Sequence, residues 1–97
     1  MAGPSTVRVF DPTGHPYVEE HSLARRPESL AGLRPGILEN RKANARLLME
    51  SVVEAMRERI DLGTLTIESK PVAGPPSRAT MRSLTENCDF VLVGSCD

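Results

Sequence analysis

The stretch Gly36-Ile37-Leu38-Glu39-Asn40-Arg41-Lys42-Ala43-Asn44 is where the chain passes from irregular to regular patterning. Gly36-Ile37-Leu38 reads as a short apolar strand, Glu39 to Lys42 as a polar turn, and Asn44 as a helix N-cap. Beyond it, Leu48, Val52, Met56 and Ile60, joined by Met49 and Val53, recur at i, i+3 and i+4 spacing, which predicts a helix from Ala45 to Ile60 with one apolar face. Leu62-Gly63 closes that helix, and the alternating, β-branched Thr64-Leu65-Thr66-Ile67-Glu68 predicts a strand. Lys70 to Pro76 holds three prolines and a glycine and must be a loop. Ser77 offers a second N-cap for a helix to about Asn87, with Ala79 or Thr80, Met81 and Leu84 turned inward. Phe90-Val91-Leu92-Val93 is a continuous apolar run, the pattern of a parallel strand covered on both faces.

The order from Gly36 onward is β-α-β-α-β. Such alternation implies a parallel sheet with right-handed crossovers, the first half of a Rossmann-like or flavodoxin-like α/β fold. Residues 36–97 carry this pattern. Residues 1–35 do not: prolines at 4, 12, 16, 27 and 35 and glycines at 3, 14 and 32 break any periodicity, so this part is expected to be extended or looped. Val7, Val9 and Phe10 are expected to form one short strand before a turn at Asp11-Pro12-Thr13-Gly14. Segments of this kind often wrap a core or a partner subunit, because their backbone polar groups need outside partners or water.

Composition bounds the function. Ninety-seven residues make at most one small domain. Twelve Lys+Arg against 13 Asp+Glu leave no field to attract nucleic acid or an anionic membrane. Aromatic content of 3% without tryptophan supplies no base-stacking platform, so a nucleic-acid partner is not expected. Apolar runs of about four residues fall far short of the ~20 that span a bilayer. Met1 to Thr6 lacks the marks of a signal peptide, and the expected compartment is the cytoplasm. There Cys88 and Cys96, without CxxC spacing, are read as free thiols.

In open α/β sheets ligands sit outside the carboxyl ends of the strands. Those ends are Glu39 to Asn44, Ser69 to Gly74 and Gly94 to Asp97. Asn40, Lys42 and Asn44 surround a helix N-terminus suited to a carboxylate or phosphate, and Lys70 would point to the same edge. Each also has a plainer reading, Asn44 as a cap and the cations as solvated surface. Cys96 follows the last strand, where α/β enzymes place nucleophiles and where backbone amides or cations would raise the thiolate fraction. Its alternative is an inert thiol, a reading that suits Cys88 well. His15 and His21 lack metal-site spacing, and neither GxGxxG nor GxxxxGK[ST] is present, so no metal and no cofactor is expected.

These residues also carry a family resemblance. Asp11-Pro12-Thr13-Gly14, Leu23 to Leu30 with Gly32, Gly36 to Ala45, Lys70-Pro71 and Asn87 to Gly94 resemble the UGSC family of cysteine or selenocysteine proteins over nearly the whole chain. The resemblance implies a signature of selenocysteine or cysteine followed by Gly, Ser and Cys, just beyond the third strand. One alignment places its first residue after Asp97, which implies that the chain is the amino-terminal part of a selenoprotein ending at a UGA codon. In the other, Gly94-Ser95-Cys96 is itself the end of the signature and Val93 stands in for its first residue. The signature is similar to the motif in the substrate-binding component of glycine reductase, which implies selenol or thiol redox or nucleophilic chemistry on a small molecule, and the residues of the sheet edge suit an anionic one. Asn40, Lys42, Asn44 and Lys70 would then orient that substrate or lower the pKa of the nucleophile.

Two function classes follow. One is a selenol- or thiol-dependent enzyme fragment, inactive by itself. The other is a complete, non-catalytic subunit or binding module whose open sheet edge after Phe90 to Val93 is covered by a partner or a second copy. A Cys96 enzyme complete as it stands ranks last, because the terminal carboxylate and Asp97 oppose thiolate formation.

Overall fold

The computed structural model describes residues 3–95. Five elements follow in the expected order: β1 (Pro35–Glu39), α1 (Ala45–Arg57), β2 (Thr66–Ser69), α2 (Arg78–Asn87) and β3 (Phe90–Gly94). The strands form one parallel sheet in the order β2-β1-β3. β1 is the central strand and every one of its residues is buried. Pro35 opens it, and the first residue of a strand is a position where a missing N–H is tolerated.

Strand alternation sorts the core into two layers. Ile37 pairs in register with Ile67 and Leu92, and this row packs against Ala45, Met49 and Val53 of α1, with Leu62 and Leu65 at its margin. Leu38 points the other way, toward Leu84 of α2. Gly36 lies on that second face too, and only glycine fits: a Cβ there would stand 2.5 Å from the Cys88 sulfur.

α1 buries a different stripe from the one its pattern suggests. Ala45, Met49 and Val53 lie inward, whereas Leu48 and Val52 remain 60% and 40% exposed. A sheet of three strands is too narrow to cover both flanks of the helix, and small Ala45 lets the first turn approach the end of β1. The helix also stops at Arg57 rather than Ile60. The N–H groups of Arg59 and Ile60 both donate to the Met56 carbonyl, and the Arg57 guanidinium donates to the carbonyls of Leu62 (3.1 Å) and Gly63 (2.9 Å), folding the chain back. Ser77 caps α2 as expected, its hydroxyl accepting from the Thr80 N–H at 3.1 Å.

Two further expectations are corrected. Phe90 to Val93 is not covered on both faces: β3 is an edge strand and Val93 is 68% exposed, while β1 takes the fully covered position. Val7, Val9 and Phe10 form no strand and are almost wholly exposed, because no described strand edge lies alongside to complete a ladder. No turn is assigned at Asp11-Pro12-Thr13-Gly14 either, where the Asp11 carboxylate accepts from the Thr13 N–H at 2.9 Å. This exposed segment gives the molecule a longest extent of 80 Å.

The amino ends of β1 and β3 are tied by charge. The Arg34 guanidinium grips Asp89 with Nε on one carboxylate oxygen and Nη2 on the other, both at 3.2 Å, while the Arg34 N–H donates to Asp89 and the Asp89 N–H donates back to the Arg34 carbonyl, each at 2.8 Å. These bonds raise the Arg34 pKa and lower that of Asp89.

Candidate functional site at the carboxyl ends of β1 and β3

The chain leaves β1 toward β2 on one side and returns past β1 to β3 on the other. The carboxyl ends of β1 and β3 therefore flank the point where the strand order reverses, the place where open α/β sheets form a crevice.

Two consecutive residues of β1 and its exit close this edge. The Glu39 carbonyl accepts from the Lys70 N–H at 2.9 Å and the Asn40 N–H donates to the Gly94 carbonyl at 3.1 Å, so the backbone ladder runs on past both neighbouring strands. Their side chains repeat the pattern. Glu39, buried, accepts from the Ser69 hydroxyl on the β2 side and, at 2.6 Å, from the Arg41 N–H. The Ser69 hydroxyl first, and then the Arg41 N–H, hold the Glu39 carboxyl below its ordinary range, so it is ionised at neutral pH.

Asn40 does the corresponding work on the β3 side. It is 8% exposed. Its Oδ1 accepts from the Ser95 N–H at 3.1 Å and from the Lys42 N–H at 3.4 Å, and its Nδ2 donates to the Ser95 carbonyl. The carboxamide thus engages Ser95 through both backbone groups, as a neighbouring strand would.

The loop into α1 is compressed by two non-glycine residues in the left-handed region, Arg41 (φ 62°) and Asn44 (φ 64°). Glu39 secures the first through its bond to the Arg41 N–H. Asn44 occupies the N-cap position but makes no side-chain capping bond; its carbonyl accepts from Leu48, and its tolerance of positive φ explains the residue better than capping does. The Lys42 carbonyl accepts from the Ala45 N–H, and Lys42 is half-buried beside the same turn.

The structure thus places Asn40, Lys42 and Asn44 on one loop and joins Asn40 to Ser95, the residue before Cys96. Cys96 itself lies outside the described residues. Lys70 sits across β1, on the β2 side, where its ammonium donates to the Pro71 (2.9 Å) and Gly74 (2.8 Å) carbonyls and closes its own loop. Glu39, Ser69 and Ser95 were not singled out by sequence. A carboxylate ending a buried apolar strand was the available signal, since such a group needs partners. Among the described residues no three His, Cys, Asp or Glu side chains cluster as metal ligands. On the α2 face, Leu38, Leu84, Cys88, Val91 and Val93 line an apolar groove of about 330 Å³.

The sequence model of the UGSC family matches residues 8–97. The chain belongs to the UGSC family. No curated protein and no solved structure matches it. The family match takes in the extended segment from Arg8 onward, so the UGSC pattern includes the exposed arm as well as the sheet. No described helix of this UGSC-family chain is long and apolar enough to cross a membrane.

Proposed function

We propose that this UGSC-family chain builds one wall of a site for selenol or thiol chemistry, redox or nucleophilic, on a small anionic molecule in the cytoplasm, with Cys96 as the thiol this chain contributes. The observation that carries the reading is the Asn40–Ser95 pairing. It brings the loop bearing Lys42 and Asn44 against the backbone that runs into Cys96, at the reversal point of the sheet. The α1 N-terminus opens on the same loop and favours negative charge. The family resemblance suggests the kind of chemistry, and the Asn40–Ser95 pairing supports this edge as its location. Lys42, Asn44 and, more remotely, Lys70 remain the residues proposed to orient the substrate, with Asn40 on the side of the thiol.

Competing alkylation tests this. Cys96 should prefer anionic iodoacetate over neutral iodoacetamide by a larger ratio than Cys88 does, each thiol being followed by mass spectrometry. Equal ratios at the two thiols would count against an anion-directed site. The expectation that a selenocysteine signature follows Asp97 is checked separately in the coding sequence, where an in-frame UGA followed by Gly, Ser and Cys codons is the supporting result. A second reading, a non-catalytic module whose β3 edge is covered by a partner subunit or a second copy, is favoured by exposed Val93 and the apolar groove beside it.

A further inference from the structure

Asn40 has little left to offer a ligand. A carboxamide has two N–H donors and two acceptor lone pairs. Both lone pairs are engaged, by the Ser95 and Lys42 N–H groups, and one donor goes to the Ser95 carbonyl. The side chain is also buried. What it does hold is the backbone immediately before Cys96, and it holds it at two points, the N–H and the carbonyl of one residue. It spans 55 positions of sequence to do so. The backbone N–H of Asn40 fastens the preceding residue, Gly94, through its carbonyl at 3.1 Å. The Gly94 carbonyl and both backbone groups of Ser95 are thus fixed by one residue.

We infer that Asn40 is a positioning residue for the thiol: it sets the reactivity of Cys96 through the backbone of Ser95 rather than by touching substrate. This deepens the proposed function and rests on Cys96 being its reacting thiol. Because Asn40 Oδ1 is shared with the Lys42 N–H, the same side chain also fixes the cationic loop relative to Ser95. The direction of the effect follows. Ser95 is held against a loop whose amides and cations would favour thiolate in a thiol carried beside them, and its release would remove that influence.

The test is the pH profile of iodoacetamide alkylation at Cys96 and Cys88, read separately in the same sample of the full chain. Asn40→Ala removes all three side-chain bonds, and Asn40→Asp keeps the acceptor but loses the donor to the Ser95 carbonyl. Both variants should slow Cys96 by about threefold or more near neutral pH and move its profile upward, with Cys88 unchanged. Unchanged Cys96 kinetics, or equal changes at both thiols, would overturn the inference. The neutral reagent separates this result from the anion test, since Cys96 can respond to Asn40 without preferring an anion. Should the variants not fold, the unmutated chain decides: the Asn40 Nδ2 protons should exchange with water more slowly than those of exposed Asn44, and equal exchange would refute the role.

Discussion

The two ends of β1 are tied to β3 by opposite means. At the amino end the tie is ionic and open to water, an Arg34 guanidinium forked onto Asp89 with both side chains more than a third exposed. At the carboxyl end it is a buried carboxamide on Ser95, with the Glu39 carboxylate holding the β2 side through a neutral hydroxyl. An exposed ion pair is weakened by solvent and salt, yet tolerates small displacements. A buried amide contributes only if its geometry is met, and leaves costly unpaired groups if it is not. The amino end is therefore built for tolerance and the carboxyl end for placement, and the placed end is the one where α/β sheets put their chemistry.

The strongest perturbation should erase the difference. Ile37 is fully buried between the two ends, and Ile37→Ala should cost about 3 kcal/mol, releasing both ties together in a urea titration. Asn40→Ala should cost about 2 kcal/mol by leaving partly buried backbone groups of Ser95 unpaired. Its effect should be unchanged by 0.5 M salt, a concentration that shortens electrostatic reach to about 4 Å. Asp89→Asn should lower the urea midpoint less than Asn40→Ala does, and the loss should shrink in salt. If Asp89→Asn proved the more costly and salt-insensitive, the contrast between the ends would be wrong.

Acid offers the finest separation. Glu39 and Asp89 both have folded pKa values below their ordinary ones, so the unfolded chain binds more protons across that window. Their contribution is therefore present above the unfolded carboxylate values, about 4, and is lost as pH falls through the lower folded values. Glu39→Gln and Asp89→Asn should each flatten part of this decline in thermal melts taken between neutral and acidic pH. Salt should reduce the Asp89 share, which depends on a charged partner, and leave the Glu39 share, which depends on Ser69 and the Arg41 N–H.

Local patterns made most of the scaffold legible. The five elements, their order, the parallel pairing and the Ser77 cap all follow from features within a few residues of one another. The face of α1 did not, since Leu48 and Val52 are as apolar as Met49 and Val53; what decides between them is the width of a three-stranded sheet. Val7 to Phe10 has strand composition but no neighbour to pair with among the described residues. At the site, the loop of Asn40, Lys42 and Asn44 was legible from its place after a strand. The work of Asn40 was not, because its partner lies 55 residues away, and Glu39 reads as the first residue of a polar turn until Ser69 is brought beside it. Asn44 carried a cap signal that its left-handed backbone answers instead.

The carboxyl end of β1 holds the backbone at Ser95, one residue before Cys96. Amide hydrogen exchange at Ser95, compared between the unmutated chain and Asn40→Ala, tests this most directly. The Ser95 amide should be protected in the unmutated chain and should lose that protection in the variant, while the Asp89 amide at the opposite end stays protected in both. A Ser95 amide that exchanges freely in the unmutated chain would contradict it.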